Sequence, residues 1–358
     1  MTGHSKPIVI IGAGQSGLTA ARAARGAGLE PLVLEAGPRA AGSWPHYYDS
    51  LRVFSPARFS AIPGHDPIPA DPDDYPARDE IAAYIEGFAA GLGVDIRTDT
   101  RVEEVSATGG GYLVRTATGT TIEAAGVVAA TGSFGNPHLP HPPGQEDFGG
   151  EVLHVADYRN PDPFAGERVV VVGGGNSAVQ VGYELAQVAS VTLATRTPVN
   201  LVEQRPDGRD IHYLLTAGYD HLPVEWFAPY VSAGLTLDIG GYRKAFEAGL
   251  LDRRPMFTAF TDEGLIWSDG ARESVDTVLF ATGYRPHLGY LSDLGALDEA
   301  GMPRHTGGVS TTHPGLAYVG LEFQRSFASN TLRGAAGDAE HIMAPLAAVA
   351  AGLHTSFS

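Results

Sequence analysis

Two stretches of the chain carry the residue types that hold a nucleotide diphosphate. Residues 8–35 read IVIIGAGQSGLTAARAARGAGLEPLVLE, and residues 169–196 read VVVVGGGNSAVQVGYELAQVASVTLATR. Each is an apolar β-branched run, a glycine-rich turn and a helical pattern. Gly12, Gly14 and Gly17 stand in G-x-G-x-x-G register. The first glycine permits the tight turn, the second lets the backbone approach a pyrophosphate, and the third lets helix and strand pack closely. Free amides and the dipole at the helix N-terminus then favour the diphosphate. Glu35 follows Gly12 by twenty-three positions (35 − 12) and is predicted to end the second strand, where a carboxylate accepts hydrogen bonds from both ribose hydroxyls. The second copy has Gly173, Gly175 and Ala178, with Arg196 twenty-three positions after Gly173 (196 − 173). A guanidinium there clamps a 2′-phosphate, which points to NADPH rather than NADH. A single glycine-rich turn can be purely structural. Two copies with opposite charge at the matching position imply two different dinucleotides, and hence a hydride passed from a nicotinamide to a flavin.

Composition removes other chemistries. The chain has 358 residues, 43% of them hydrophobic, enough for about two domains with buried cores. It contains no cysteine, which excludes disulfides, zinc–thiolate sites, iron–sulfur clusters and thiol catalysis. The net charge of −17 opposes nucleic acid and anionic lipid as partners. No apolar run approaches the roughly 20 residues of a membrane span, so a cytoplasmic protein without membrane contact is expected. His138 and His141 lie in a proline-rich turn with no third ligand, so no metal site is expected.

The elements that must position the two turns also repeat. VVAATGS (Val127–Ser133) and VLFATGY (Val278–Tyr284) are apolar strands ending in Ala-Thr-Gly, each preceded by short strands with glycine turns. They predict a β-meander returning to a parallel sheet in each unit. The C-terminal part offers a strand near Leu316–Gly320 and a long helix, which complete the first unit. The expected fold is therefore α/β, with two Rossmann-like dinucleotide-binding domains. The NADPH domain (residues 153–283) is inserted into a discontinuous FAD domain (residues 1–152 and 284–358), and each domain has a β-meander. Residues 202–249 interrupt the second unit with more than a turn and are expected to cover the site or serve a partner surface. LAAVAAGL near the C-terminus reads as the buried face of the last helix.

FGGEVLHVADYR supplies Phe148, Gly150, His154, Tyr158 and Arg159 just before the second glycine turn. With these residues the whole chain resembles the flavin-containing monooxygenase group of two-dinucleotide-binding-domain flavoproteins. GSWPHYYDSLRVFSPARFSAIPG (residues 42–64) resembles more narrowly the short bacterial CzcO-like subgroup. The resemblance implies FAD along Gly12, Gly14, Gln15, Ser16, Gly17, Glu35, Ser43, Trp44, Val102, Thr131 and Gly132. It implies NADPH at Gly173, Gly175, Asn176, Ser177 and Arg196. Many members carry an asparagine that helps hold the oxygenated flavin and NADP+, and here Phe54 aligns with it, beside Ser55. The CzcO-like subgroup generally reads this way.

The implied reaction begins with NADPH reducing FAD, after which dioxygen adds at the flavin C4a carbon. A dry pocket protects the peroxyflavin until a small soft nucleophile arrives. His46, Phe54 and Ser55 are pocket candidates, and no acid or base is assigned. Trp44 is expected near the flavin, and His154 is expected to brace the interdomain crossing rather than act as a base. The alternatives are an NADPH-dependent flavin reductase with an external quinone, protein or disulfide acceptor, and a non-enzymatic redox sensor. A small-molecule substrate, dioxygen and a second copy in a homodimer complete the expected partners.

Overall fold

Four β-branched residues in succession leave no face for water, and Ile8–Ile11 forms strand β1 with all four side chains buried. The computed structural model describes residues 6–226, 236–239 and 241–353. After the glycine turn comes α1 (Gln15–Gly26) and then β2 (Pro31–Leu34), parallel to β1. Short α2 (Ala57–Ser60) and longer α3 (Arg78–Gly91) precede β3 (Asp95–Arg97), parallel to β2. Strands β4 (Val102–Thr108), β5 (Gly111–Thr116) and β6 (Thr121–Ala124) form the expected antiparallel meander, and β7 (Gly126–Ala129) returns beside β1.

The chain then builds the second unit. Strand β8 (Glu151–His154) is followed by β9 (Arg168–Val172), α4 (Asn176–Leu185) and β10 (Ser190–Thr195). Residues 202–249 contribute part of β11 (Leu201–Glu203), α5 (His212–Ala217), β12 (Thr236–Asp238) and α6 (Tyr242–Glu247). Residues 227–235 and 240 of that segment lie outside the described residues. Strand β13 (Asp252–Pro255), a second meander of β14 (Phe257–Thr261), β15 (Gly264–Trp267) and β16 (Arg272–Ser274), and then β17 (Thr277–Phe280) close the unit. Its sheet order is β13-β10-β9-β17-β8. All four residues of β8 pair with β17, so the expected boundary between residues 152 and 153 falls inside a strand of the second sheet.

Strands β18 (His305–Thr306), β19 (Val309–Ser310) and β20 (Leu316–Tyr318) rejoin the first sheet, whose order is β18-β19-β20-β7-β1-β2-β3. Helix α7 (Ala335–Ala350) packs on α1. The second unit is thus inserted in the first. Of the LAAVAAGL stretch only Leu346 is buried, and Leu353 is 73% exposed. The buried face of α7 lies earlier, at Ala335, Ala339, Ile342 and Met343, because Ala339, Ile342 and Met343 enter the core shared with α1 while Ala347, Ala348 and Val349 stay half-buried.

Both units have three layers. Ile8, Ile10, Val33 and Val128 face a core shared with α1, α3 and α7, while Val9, Ile11, Leu32 and Leu34 face the meander. Likewise Val169, Val171 and Leu193 pack toward α4, and Val170, Val172 and Phe280 pack toward Phe257 and Trp267. The two crossings between units hydrogen-bond to each other. His138 N donates to Gly283 O (2.9 Å), Arg285 N to Asn136 O (2.9 Å) and His287 N to Gly132 O (2.9 Å).

The motif residues of FGGEVLHVADYR hold this junction together. Phe148 packs on Phe260. Tyr158, buried, donates to Glu184 (2.9 Å), and Arg159 donates to the carbonyls of Ala156 (2.8 Å) and Tyr158 (2.9 Å). At Gly150 a Cβ would lie 2.3 Å from Asp276 O and 2.4 Å from the Phe148 ring. Gly150→Ala therefore overpacks the start of β8, and is expected to cost about 1–3 kcal/mol in a denaturant or thermal unfolding measurement. An unchanged midpoint would show that β8 tolerates the added carbon.

Candidate dinucleotide and oxygenation site

The two glycine turns are built alike. Gly12 has φ +104°, and a Cβ there would lie 2.6 Å from Ala130 O; Gly173 has φ +142°, and a Cβ would lie 2.5 Å from Ala281 O. Each turn stands directly against an Ala-Thr-Gly strand end, as only a residue without a side chain allows. Gly14 and Gly175 are the N-cap residues of α1 and α4, both extended, with ψ −177° and −176°. A Cβ on Gly17 would sit 1.8 Å from Gly12 O, whereas the second copy accommodates Ala178.

Around the first turn the candidate residues converge. Glu35, buried just past the end of β2, accepts from Ala13 N (2.7 Å) and Gly37 N (2.8 Å), which fixes its carboxylate against the turn. The backbone of Gly42 touches that of Gly14, and Trp44 Nε1 donates to Gln15 Oε1 (3.0 Å). This holds Ser43 and Trp44 over the helix N-terminus. Thr131 Oγ1 donates to His287 O (2.6 Å), and Gly132 turns the chain with φ +60°. Ser16 is buried against Gly320, the residue after Val319 at the end of the β20 segment. Val102 opens β4, two residues beyond Thr100, whose amide donates to Glu35 O (2.8 Å). At Gly14 an added Cβ would meet only the Gly42 Cα, at 3.6 Å. The fold itself leaves room there, as a backbone approached by a diphosphate requires, so these residues fit FAD.

Around the second turn, Asn176 Oδ1 accepts from Leu237 N (3.0 Å) and Thr236 Oγ1 donates to Gly174 O (2.9 Å), so the inserted segment buttresses the turn. Ser177 is half-buried on the first turn of α4. Arg196 is exposed beyond β10 and has no ion-pair partner among the described residues. A free guanidinium beside a helix N-terminus suits a phosphate monoester, and these residues fit NADPH.

Between the turns lies an aromatic cluster. Tyr47 packs on Trp44 and Phe134, Phe134 stacks on Tyr284, and Tyr284 meets His154 edge-on. His154 is buried. Its Nδ1 accepts from Ala156 N (3.1 Å), so Nε2 carries the hydrogen and donates to Gly283 O (3.1 Å). Burial pushes its pKa down, more than the Gly283 bond raises it, keeping the ring neutral. It braces the crossing, as expected.

The three pocket candidates do not share one wall. His46 is exposed and stacks loosely on Phe134 (6.4 Å). Ser55 Oγ is buried and committed to Ser60 Oγ (2.7 Å). Phe54 stacks on His212 (5.9 Å), a residue of the inserted segment. Sequence reading missed that segment's polar core of Gln204, Asp210 and His212. The only local signal for it was the D-x-H spacing in RDIHYLL.

The pyridine nucleotide-disulphide oxidoreductase family matches residues 9–211. Indole-3-pyruvate monooxygenase YUCCA1 of Oryza sativa subsp. japonica is 31% identical over 323 residues, covering 81% of this chain and 79% of that protein. An uncharacterized CzcO-like oxidoreductase of Geobacillus kaustophilus is 27% identical over 357 residues, covering 95% and 98%. Among solved structures, a flavin-containing monooxygenase from Stenotrophomonas maltophilia matches with a TM-score of 0.84 at 32% identity, over 96% of this chain and 98% of that one. The chain belongs to the flavin monooxygenases. Like the other flavin monooxygenases it is an oxidoreductase that uses FAD and NADPH. No described helix is long and apolar enough to cross a membrane.

For this flavin monooxygenase the glycine geometry separates binding from folding. Gly14→Val is expected to leave the apoprotein near wild-type stability while lowering FAD content severalfold. Gly17→Ala is expected to destabilise the fold by about 1–3 kcal/mol or more, because its Cβ has backbone to displace. Flavin absorbance per protein and apoprotein melting curves distinguish them, and full FAD occupancy in Gly14→Val would remove Gly14 from the site.

Proposed function

We propose that the chain oxygenates a small soft nucleophile, a sulfur, nitrogen or arsenic centre, with NADPH as reductant and dioxygen as co-substrate. The observation that carries this reading is the pair of like-built turns, one finished by the buried acid Glu35 and the other by the exposed Arg196. FAD is assigned to Gly12, Gly14, Gln15, Ser16, Gly17, Glu35, Ser43, Trp44, Val102, Thr131 and Gly132, in a unit completed by residues 284–358. NADPH is assigned to Gly173, Gly175, Asn176, Ser177 and Arg196, in a unit beginning at Glu151. Operation in the cytoplasm and a homodimeric assembly belong to the same proposal.

When bound, FAD accepts hydride from NADPH and activates dioxygen. The protein's share is position and dryness. Glu35 holds the first turn in shape through Ala13 and Gly37, and Trp44 is fixed by Gln15. The apolar rings of Tyr47, Phe134 and Tyr284 pack between the turns and exclude water from that side. Phe54 supplies a ring where an amide would supply hydrogen bonds, which favours leakage to hydrogen peroxide when substrate is absent. The name of the rice relative points to a 2-oxo acid, so indole-3-pyruvate belongs in the substrate panel beside sulfides and amines.

Two measurements test the proposal. Arg196→Ala is expected to lose about tenfold in the NADPH-to-NADH ratio of kcat/KM, since a charge-assisted contact contributes about 1.5–3 kcal/mol. NADH kinetics change little, and an unaltered ratio would dismiss Arg196 from the 2′-phosphate. In the second, enzyme reduced anaerobically by NADPH is mixed with oxygen while the flavin spectrum is recorded. Reoxidation in two steps, the second slowed by NADP+ and accelerated by a soft nucleophile, supports oxygenation. A single step under all conditions, with quinones or protein acceptors speeding NADPH turnover, supports the reductase instead.

A further inference from the structure

The segment that follows β2 touches both glycine-turn helices within a few residues. Its Trp44 donates to Gln15, the first residue of α1, beside the turn assigned to FAD. Four residues on, Tyr48 leaves its own unit: it is 4% exposed and lies in the second unit's core with Val155, Tyr158 and Val179. Its hydroxyl donates to Gln180 Oε1 (2.5 Å), on the helix α4 that starts at the turn assigned to NADPH. Burial pushes the Tyr48 phenol far above the usual tyrosine range, so the group stays a donor at neutral pH. The residues between are short and stiff. Trp44–His46 is a single 3-10 turn containing Pro45, whose ring fixes φ, and His46 N donates to Ser43 O (2.9 Å). Four residues reach at most ~14 Å.

The next residue repeats the docking. Asp49 N donates to Arg159 O (2.8 Å), and Asn160 Nδ2 donates to Asp49 Oδ2 (3.2 Å). Arg78 of α3 donates to both Tyr47 O (2.7 Å) and Asp49 Oδ1 (2.8 Å). The segment is therefore tied back to its own unit and forward to the other. The two crossings between units hydrogen-bond to each other, so they resist splaying as one ribbon and leave the angle about that ribbon to contacts made elsewhere. Hydride transfer is steep in distance: the reacting atoms meet at about 3–3.5 Å, and a misplacement of ~1 Å costs about a hundredfold. A hydroxyl-to-amide bond is directional, and it restricts that angle more sharply than ring packing does.

We propose that Tyr48 is a positioning residue for hydride transfer, its bond to Gln180 holding α4 and the NADPH turn at a fixed distance from the FAD turn. This rests on the assignment of the two dinucleotides to the two turns, and it concerns the reductive half of the reaction alone. Tyr48→Phe keeps the ring and removes the bond. FAD-loaded protein is reduced by NADPH without oxygen in a single turnover, and the limiting rate and the NADPH Kd are read from flavin absorbance. The variant is expected to lose about tenfold or more in limiting rate, with a change of about twofold or less in Kd. Dithionite, which needs no nicotinamide placement, is expected to reduce both proteins alike. Gln180→Leu removes the acceptor instead and is expected to match Tyr48→Phe, and the double variant to be no slower than either, because the same bond is lost in all three. The chain contains no cysteine, so spin labels at Ala90→Cys and Val188→Cys, both exposed positions, report the distance between units with and without cofactor. A narrow distance distribution is expected with Tyr48 and Gln180 in place and a broader one in each variant. Folded, FAD-loaded Tyr48→Phe and Gln180→Leu that reduce at the wild-type rate overturn the proposal. Losses that multiply in the double variant overturn it too, as does a slow variant whose label distances stay as narrow as those of the wild type. Failure of the dinucleotide assignment looks different: wild type itself takes no hydride from NADPH, which removes the role and leaves the label distances to report the tie. Failure of oxygenation leaves every one of these results intact, since no step uses dioxygen.

Discussion

The structure depends on a backbone-to-backbone approach made twice. At Gly12 and again at Gly173, a glycine with positive φ lets the turn after β1 and after β9 touch the carbonyl at the end of an Ala-Thr-Gly strand. A side chain at either glycine would push strand and turn apart by more than packing could absorb. Because both contacts are made, each parallel sheet ends in a closed rim, with helix amides, an acid or an arginine, and a threonine-glycine exit on one side. The exits are also the places where the chain leaves one unit for the other. The glycine turns and the interdomain crossing are therefore one construction.

That coincidence explains the family motif ahead of the second turn. His154 donates to the crossing at Gly283, Tyr158 donates to Glu184 of α4, Arg159 ties down the carbonyls of Ala156 and Tyr158, and Gly150 leaves space for Asp276 O and the Phe148 ring. None of them needs to touch a reacting atom for the chemistry to depend on them. A neutral histidine with both nitrogens engaged is a rigid bracket, and its lowered pKa follows from burial. The outgoing and returning crossings are linked by three backbone hydrogen bonds, so the two units share a stiff connection.

The inserted segment contributes in a different way. Its Asp210 carboxylate gathers donors from Gln204, Tyr75 and His212, and through Gln204 it fixes the Phe54 backbone. Burial alone would raise the Asp210 pKa, but those hydrogen bonds outweigh it and keep the group ionised. Such a network is costly to desolvate and valuable only when its members are positioned relative to something else. Here it ties residues from the second unit to the 54–75 loop of the first. The Arg333–Asp220 pair, each partner about one-tenth exposed, fastens the same segment to the residue preceding the α7 cap.

Local sequence determined the parts whose physics is local. Strand, turn and helix around Gly12 and Gly173 follow from apolar runs and glycine spacing, and the meanders follow from alternation and turn residues. The opposite charges of Glu35 and Arg196 could be read by counting along a repeat. Tertiary structure alone decided what depends on distant partners. His46, Phe54 and Ser55 are near neighbours in sequence, yet one leans on Phe134, one on His212 and one on Ser60, because the loop follows surfaces supplied by residues far along the chain. The apolar end of α7 looked buried from composition, but burial requires an opposing element, and α7 meets the core shared with α1 through Ala339, Ile342, Met343 and Leu346. Gln204, Asp210 and His212 carried no periodic signal, since a buried polar cluster is specified by mutual hydrogen bonding across the fold and not by spacing along it.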